Sequence, residues 1–196
     1  MTELRRGLVA PPVAAEHPGL RLAWTEVAVS PGRTPAELRE RLRAMADRMH
    51  GAQAIELRRR EVPHLHRVFF RQVGLDPDVV RTPVEAIVLR RMSEGGLRPQ
   101  GLIEDALTVA TLETGVGVWA FDADLVVGAL EVREDGRLVV ADEAGRLSVL
   151  FDDPLPRAAV GRHTRRVALV AVAVPGVPEV FVEEALWIAA DIVTGR

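Results

Sequence analysis

Apolar and polar positions change rhythm partway along the chain. From residue 34 to 114 apolar side chains recur every three or four positions, and from 116 to 174 they alternate or run together, so helices precede strands. Leu38, Leu42, Met45 and Met49 predict the buried face of a helix over residues 34–49. Thr34-Pro35-Ala36-Glu37 opens it as a capping box with proline at the first helical position. Leu65, Val68 and Phe69 predict a second helix over 63–73, stopped by Gly74. Thr82-Pro83-Val84-Glu85 repeats the capping box and opens a third, to about residue 93. The flanks of the two boxes do not match, so the repeat is two uses of one good cap rather than a duplication. A fourth helix over 102–114 carries Leu102, Ile103, Ala106, Leu107 and Ala110 on one face and ends at Gly115.

Alternation predicts a strand over residues 20–29, closed by Ser30-Pro31-Gly32. Beyond the fourth helix, strands are predicted over 116–121, 125–132, 137–141, 147–151 and 166–174. Glu134-Asp135-Gly136 and Glu143-Ala144-Gly145 are the turns of hairpins. A last helix runs from the Pro175-Gly176-Val177-Pro178 break to about residue 193. Residues 1–19, interrupted by Pro11, Pro12 and Pro18, read as irregular with a short strand at 8–10. Helices, then consecutive strands, then one helix predict an α+β fold with a largely antiparallel sheet.

With 196 residues and 48% apolar content the chain can build one sizeable core, which favours a single domain over 1–196. No apolar run is long enough to cross a membrane and Met1–Leu8 lacks the apolar centre of a signal peptide, so a cytoplasmic, soluble protein is expected. The absence of cysteine excludes disulfides, thiolate catalysis and a Cys-ligated zinc. All 25 basic residues are arginine, and lysine, asparagine and tyrosine are absent, a bias of codon usage from which no function follows. A net charge of −3 does not suit a protein that grips long nucleic acid, so no DNA partner is expected and any RNA contact should be local. His64 and His66 stand two apart on a helix and point about 200° away from each other, which argues against a shared metal ion. No metal or cofactor is expected.

The stretch from Gly96 to Asp122 carries a resemblance. Gly96, Leu97, Arg98, Pro99, Asp105, Leu112, Glu113, Gly115, Ala120, Phe121 and Asp122 fall without a gap on the signature of the B3/4 domain, the editing module of the bacterial phenylalanyl-tRNA synthetase beta chain. A weaker likeness to free-standing relatives of that domain extends upstream through residues 69–96 and, more loosely, over most of residues 8–194. The resemblance implies the same α+β class and hydrolysis of an amino acid wrongly esterified to a tRNA 3′ end. It also implies a partner, the acceptor end of a mischarged tRNA.

Carried over position by position, the resemblance makes Arg98 a pocket residue that places a guanidinium near a phosphate or oxyanion. The same arginine could instead pin its loop or pair with Glu104 or Asp105. The family's Thr-Asn pair becomes Leu107-Thr108, which keeps one hydroxyl, at Thr108, as a substrate contact and loses the amide. Trp119 replaces the family histidine, so base catalysis there is lost and a stacking surface for adenine or a substrate side chain gained, unless the indole is simply core. His163 and Thr164 overlie a Val-x-x-x-Thr element beginning at Val160. His163, the one histidine in the strand half, is the best candidate to meet a carboxylate, phosphate or water, although loop histidines commonly face solvent. Val170 falls at or near the acidic residue that reads the tyrosine hydroxyl in the family, and a valine cannot read a hydroxyl. Glu113 and Asp122 match the signature but are more cheaply explained as caps or ion pairs. Arg58, Arg59 and Arg60, followed by His64, His66, Arg67 and Arg71, form the densest positive patch, either a solvated helix face or, through Arg58, Arg59, Arg60 and Arg67, a contact for the acceptor stem.

Two principal readings follow. One is a free-standing trans-editing deacylase with Arg98 and His163 in catalysis and Arg98, Thr108, Trp119, Thr164 and Val170 around the substrate. The other is a module that kept the fold without the chemistry and binds an amino acid, a tRNA 3′ end or a partner protein. A weaker third is a structural or regulatory protein whose Arg-rich helices bind another protein. The deacylase reading expects Arg98 and Trp119 to open onto one cleft between the signature helix and the strand after it.

Overall fold

The computed structural model describes residues 3–49 and 56–195. Among the described residues, helices α1 (Pro11–Glu16), α2 (Ala36–Asp47), α3 (Glu61–Gln72), α4 (Pro83–Glu94), α5 (Leu102–Thr114) and α6 (Glu179–Thr194) accompany eight strands. Sheet A contains β1 (Arg5–Arg6), β3 (Arg21–Ala28), β8 (Arg166–Ala173) and β4 (Val118–Asp122), in the order β1-β3-β8-β4. Every pairing in it is antiparallel. Sheet B contains β2 (Leu8–Val9), β5 (Glu131–Glu134), β6 (Leu138–Asp142) and β7 (Gly145–Val149), antiparallel except for the short β2–β5 pair. The class is α+β, and both predicted hairpins, β5–β6 and β6–β7, are present.

The all-apolar stretch of β8 follows from its place. It lies between β3 and β4 with both faces covered, and Val167–Val174 are buried throughout. One apolar cluster joins β8, the sheet B residues Val132, Val140 and Leu147, and the α6 residues Val182, Leu186 and Ala189. A smaller cluster, with Leu38 and Leu42 of α2, Val84 and Val88 of α4 and Val109 and Leu112 of α5, holds the helices together.

Three expectations need correction. Residues 11–16 form a helix, because Pro11 and Pro12 occupy its first turn, where a missing N–H costs nothing. Residues 125–130 do not extend β5. Val127 N–H is taken by Asp142 Oδ2 at 2.9 Å and its carbonyl accepts from Glu143 N–H, while Leu125 and Val127 are exposed. The first Thr-Pro-x-Glu is not a capping box: the residue before α2 is Pro35, and the Thr34 hydroxyl donates instead to Asp105 of α5. The second box forms, with Thr82 N–H and hydroxyl both donating to Glu85 Oε2, at 3.3 and 2.8 Å.

Candidate functional site

The first turn of α5 is set by Asp105. Its buried carboxylate accepts from Thr34 Oγ1, from Gln100 N–H at 3.1 Å and from Gly101 N–H at 3.4 Å. These bonds satisfy helix-terminal donors that have no intrahelical partner and fix the loop entering α5. The signature aspartate is therefore a positioning residue. It does not pair with Arg98.

At its far end α5 stops at Gly115, where φ is +81° and a side chain would meet Val62 and Pro63. The chain then enters β4, the edge strand of sheet A. Between α5, β4 and α4 lies a cleft of about 490 Å³, in the range of small-molecule sites. Helix α4 contributes Pro83, Ala86, Ile87 and Arg90, and α5 with its entry loop contributes Gln100, Ile103, Glu104, Leu107, Thr108 and Thr111. Residues 117–120 form the strand wall, and Phe151, Asp153, Pro154, Ala159 and Val160 close the other side.

Its guanidinium is that of Arg90, which donates to Thr108 Oγ1 at 3.2 Å and to Gln100 Oε1 at 3.4 Å. Thr108 in turn donates to Glu104 O at 2.9 Å. The Trp119 indole lies 5.7 Å from the Phe151 ring, centroid to centroid, tilted by 51°. It is held by what Gly117 lacks, since a Cβ there would fall 2.5 Å from Trp119 Cη2. Phe151 has φ of +70°, the one positive value at a non-glycine among the described residues. Such a backbone costs of order 1–3 kcal/mol and persists only where its surroundings impose it. The ring stacks on Phe70 at 5.2 Å and meets His66 at 5.8 Å. It also lines a second cavity of about 520 Å³, so one side chain is shared by two cavities.

The strand wall also offers main chain. Asp122 N–H leaves the β4–β8 ladder and donates to Ala158 O at 2.9 Å. In an antiparallel pair, amides two residues apart point the same way. Ala120 N–H therefore also points away from β8, towards segment 158–160, which an antiparallel bridge between Phe121 and Ala159 lays along this edge.

Of the residues singled out from sequence, Thr108 and Trp119 line the cleft. Arg98 does not: it is exposed on the loop before α5 and is not among the residues that line the cleft beside Trp119. His163 is exposed and accepts from Arg162 Nε at 2.9 Å, away from the cleft lining. Thr164 is buried, donates to Asp122 Oδ2 at 2.6 Å and accepts from Gly161 N–H, which ties its loop to the end of β4 rather than to a substrate. Val170 is fully buried opposite Trp24 and Trp119 and does not reach the lining. Glu113 is ion-paired with Arg41 at 2.8 Å.

The positive patch divides. Arg67 is buried and bound to Glu85 at 2.6 Å and Asp78 at 2.8 Å, and Arg58 meets the same two acids. The Arg67 hydrogen bond, reinforced by Arg58, holds the Asp78 carboxyl below its ordinary range. Arg59 and Arg60 are exposed, with Arg59 3.3 Å from Glu56. His64 is exposed while His66 is buried on the same helix, and no three potential ligands gather around a metal position among the described residues. No described helix is long and apolar enough to cross a membrane.

Arg90 and Phe151 escaped the sequence reading. Nothing local marks a helical arginine as facing a cleft, and no residue pattern announces a left-handed phenylalanine. No protein-family model matches the chain, and no curated protein matches it at a significant level.

Proposed function

We propose that this chain is an aminoacyl-tRNA deacylase, and that the cleft between α5 and β4 receives the aminoacyl ester of a mischarged tRNA. The observation that carries the proposal is the position of the cleft: its wall from Gln100 to Ala120 is the stretch that resembles the B3/4 editing signature. In this reading the amino-acid side chain enters among Ile87, Ile103, Leu107 and Trp119, and the ester carbonyl lies near Arg90. Water adds to the carbonyl carbon, and the oxygen gains negative charge that the guanidinium stabilises. The intermediate then expels the ribose oxygen, which leaves with a proton as the tRNA hydroxyl. Of the two carboxylates at the mouth, Glu104 and Asp153, one takes the proton from water. An aminoacyl ester is already activated, so orientation supplies much of the acceleration without an imidazole.

Release of amino acid from a panel of mischarged tRNAs tests the proposal. Turnover should exceed spontaneous hydrolysis, and Arg90→Ala should lower kcat roughly 100-fold, the usual effect of losing one oxyanion donor. Arg98→Ala, outside the cleft, should change it less than about twofold, as surface substitutions do. If every ester survives excess protein at the spontaneous rate, the chain is not a deacylase.

A second reading is favoured by the positions of Arg98 and His163, both outside the cleft lining. In it the chain is a non-catalytic module that binds an amino acid or a tRNA 3′ end. Calorimetric binding of aminoacyl-adenosine analogues or deacylated tRNA, without turnover, selects this alternative.

A further inference from the structure

We infer that the cleft selects an apolar amino-acid side chain and discriminates against one carrying a hydroxyl. The inference rests on reading the cleft as an amino-acid receptor, and it adds the class of side chain.

The polar and apolar parts of the lining are segregated. Gln100, Glu104 and Asp153 are exposed at the mouth, whereas Ile103 and Val118 are buried and Leu107 half-buried. Both signs of charge at the mouth suit the backbone of an amino acid: one of Glu104 and Asp153 for the ammonium, the other being the base, and Arg90 for the carbonyl oxygen. Deeper in, the hydroxyls belong to Thr108 and Thr111. Thr108 donates to Glu104 O and accepts from Arg90, and Thr111, 3% exposed, accepts from Val118 N–H at 3.4 Å. Thr108 is thus engaged as donor and acceptor within the protein, and Thr111 as acceptor. No carboxylate or amide stands among the deep residues to receive a phenol or an alcohol. A ligand hydroxyl carried there would lose its water without a strong replacement, a penalty that a methyl or phenyl group avoids. An apolar pocket of this kind discriminates against an added hydroxyl by about 100-fold at most.

The test uses 3′-amino-3′-deoxyadenosine joined through an amide to leucine, serine, phenylalanine or tyrosine, titrated calorimetrically into the full chain. Leucine should bind at least about tenfold more tightly than serine, and phenylalanine at least about tenfold more tightly than tyrosine. Leu107→Asn, which places an amide in the half-buried wall, should bring the phenylalanine-to-tyrosine ratio close to one, with folding checked by circular dichroism. Binding without preference between the members of each pair overturns the inference and leaves the deacylase proposal standing. Failure of all four analogues to bind, together with no release from the tRNA panel, overturns both. If the analogues do not bind but esters are hydrolysed, equal kcat/KM for leucyl and seryl esters overturns the inference and a leucyl preference upholds it.

Discussion

A methyl group at residue 117 would lie 2.5 Å from Trp119 Cη2 and 2.8 Å from Pro83 Cγ. The constraint is one of space: Gly117 is not among the positive-φ glycines, so alanine could adopt its backbone. Gly117→Ala must therefore push the indole into the cleft or move the first turn of α4. Overpacking of this kind costs about 1–3 kcal/mol, so the denaturation midpoint should fall. Affinity for aminoacyl-adenosine amides should drop at least about tenfold, since the narrowed site must rearrange before it accepts a ligand. A variant with unchanged affinity would show that Trp119 does not shape the binding site.

At the level of elements, the two Thr-Pro-x-Glu motifs show how one local pattern meets two tertiary contexts. Thr82 and Glu85 close on each other at the start of α4, and Thr82→Ala should cost about 1 kcal/mol without altering ligand affinity. Thr34 is drawn across to α5, so Thr34→Ala should loosen Asp105 and the Gln100 loop and weaken ligand binding as well as folding. Comparing affinity and melting temperature for the two variants separates a cap from a positioning contact. Periodicity placed α5 at its observed bounds because its apolar face and Gly115 stop are local properties. It likewise placed β8, whose two-sided burial leaves an unbroken apolar run. It failed over 125–130, where the Asp142 side chain captures the backbone from a distance in sequence. The site divided in the same way: Thr108 and Trp119 came with the signature, whereas Arg90 enters from α4 by packing that no short pattern encodes.

Across the whole molecule, pH tests whether the packing around Phe151 depends on a neutral imidazole. His66 is 1% exposed, its Nδ1–H donates to Val62 O at 2.9 Å, and its Nε2 has no protein partner. Burial lowers its pKa below the ordinary 6.5, against the opposing effect of the Val62 bond. In the unfolded chain the imidazole takes up a proton near pH 6.5, which the folded protein resists, so the unfolded state binds more protons below that pH. Stability is therefore fully present above pH 6.5 and declines as pH falls towards the folded pKa, by at most about 1.4 kcal/mol per pH unit. The acids act in a separate window. Asp142 is opposed by its own burial, but Val127 N–H and Arg157 outweigh that and hold its carboxyl below 3.8, so its contribution is lost only under more acid conditions. Between pH 7 and pH 5 the melting temperature should fall, and His66→Leu should flatten that slope while leaving the acid limb below pH 4 in place. Leucine sacrifices one hydrogen bond but also removes a buried, unpartnered nitrogen, so the variant should be close to wild type at pH 7.5. A slope that persists in His66→Leu would assign the loss to groups other than the ring that packs beneath Phe151.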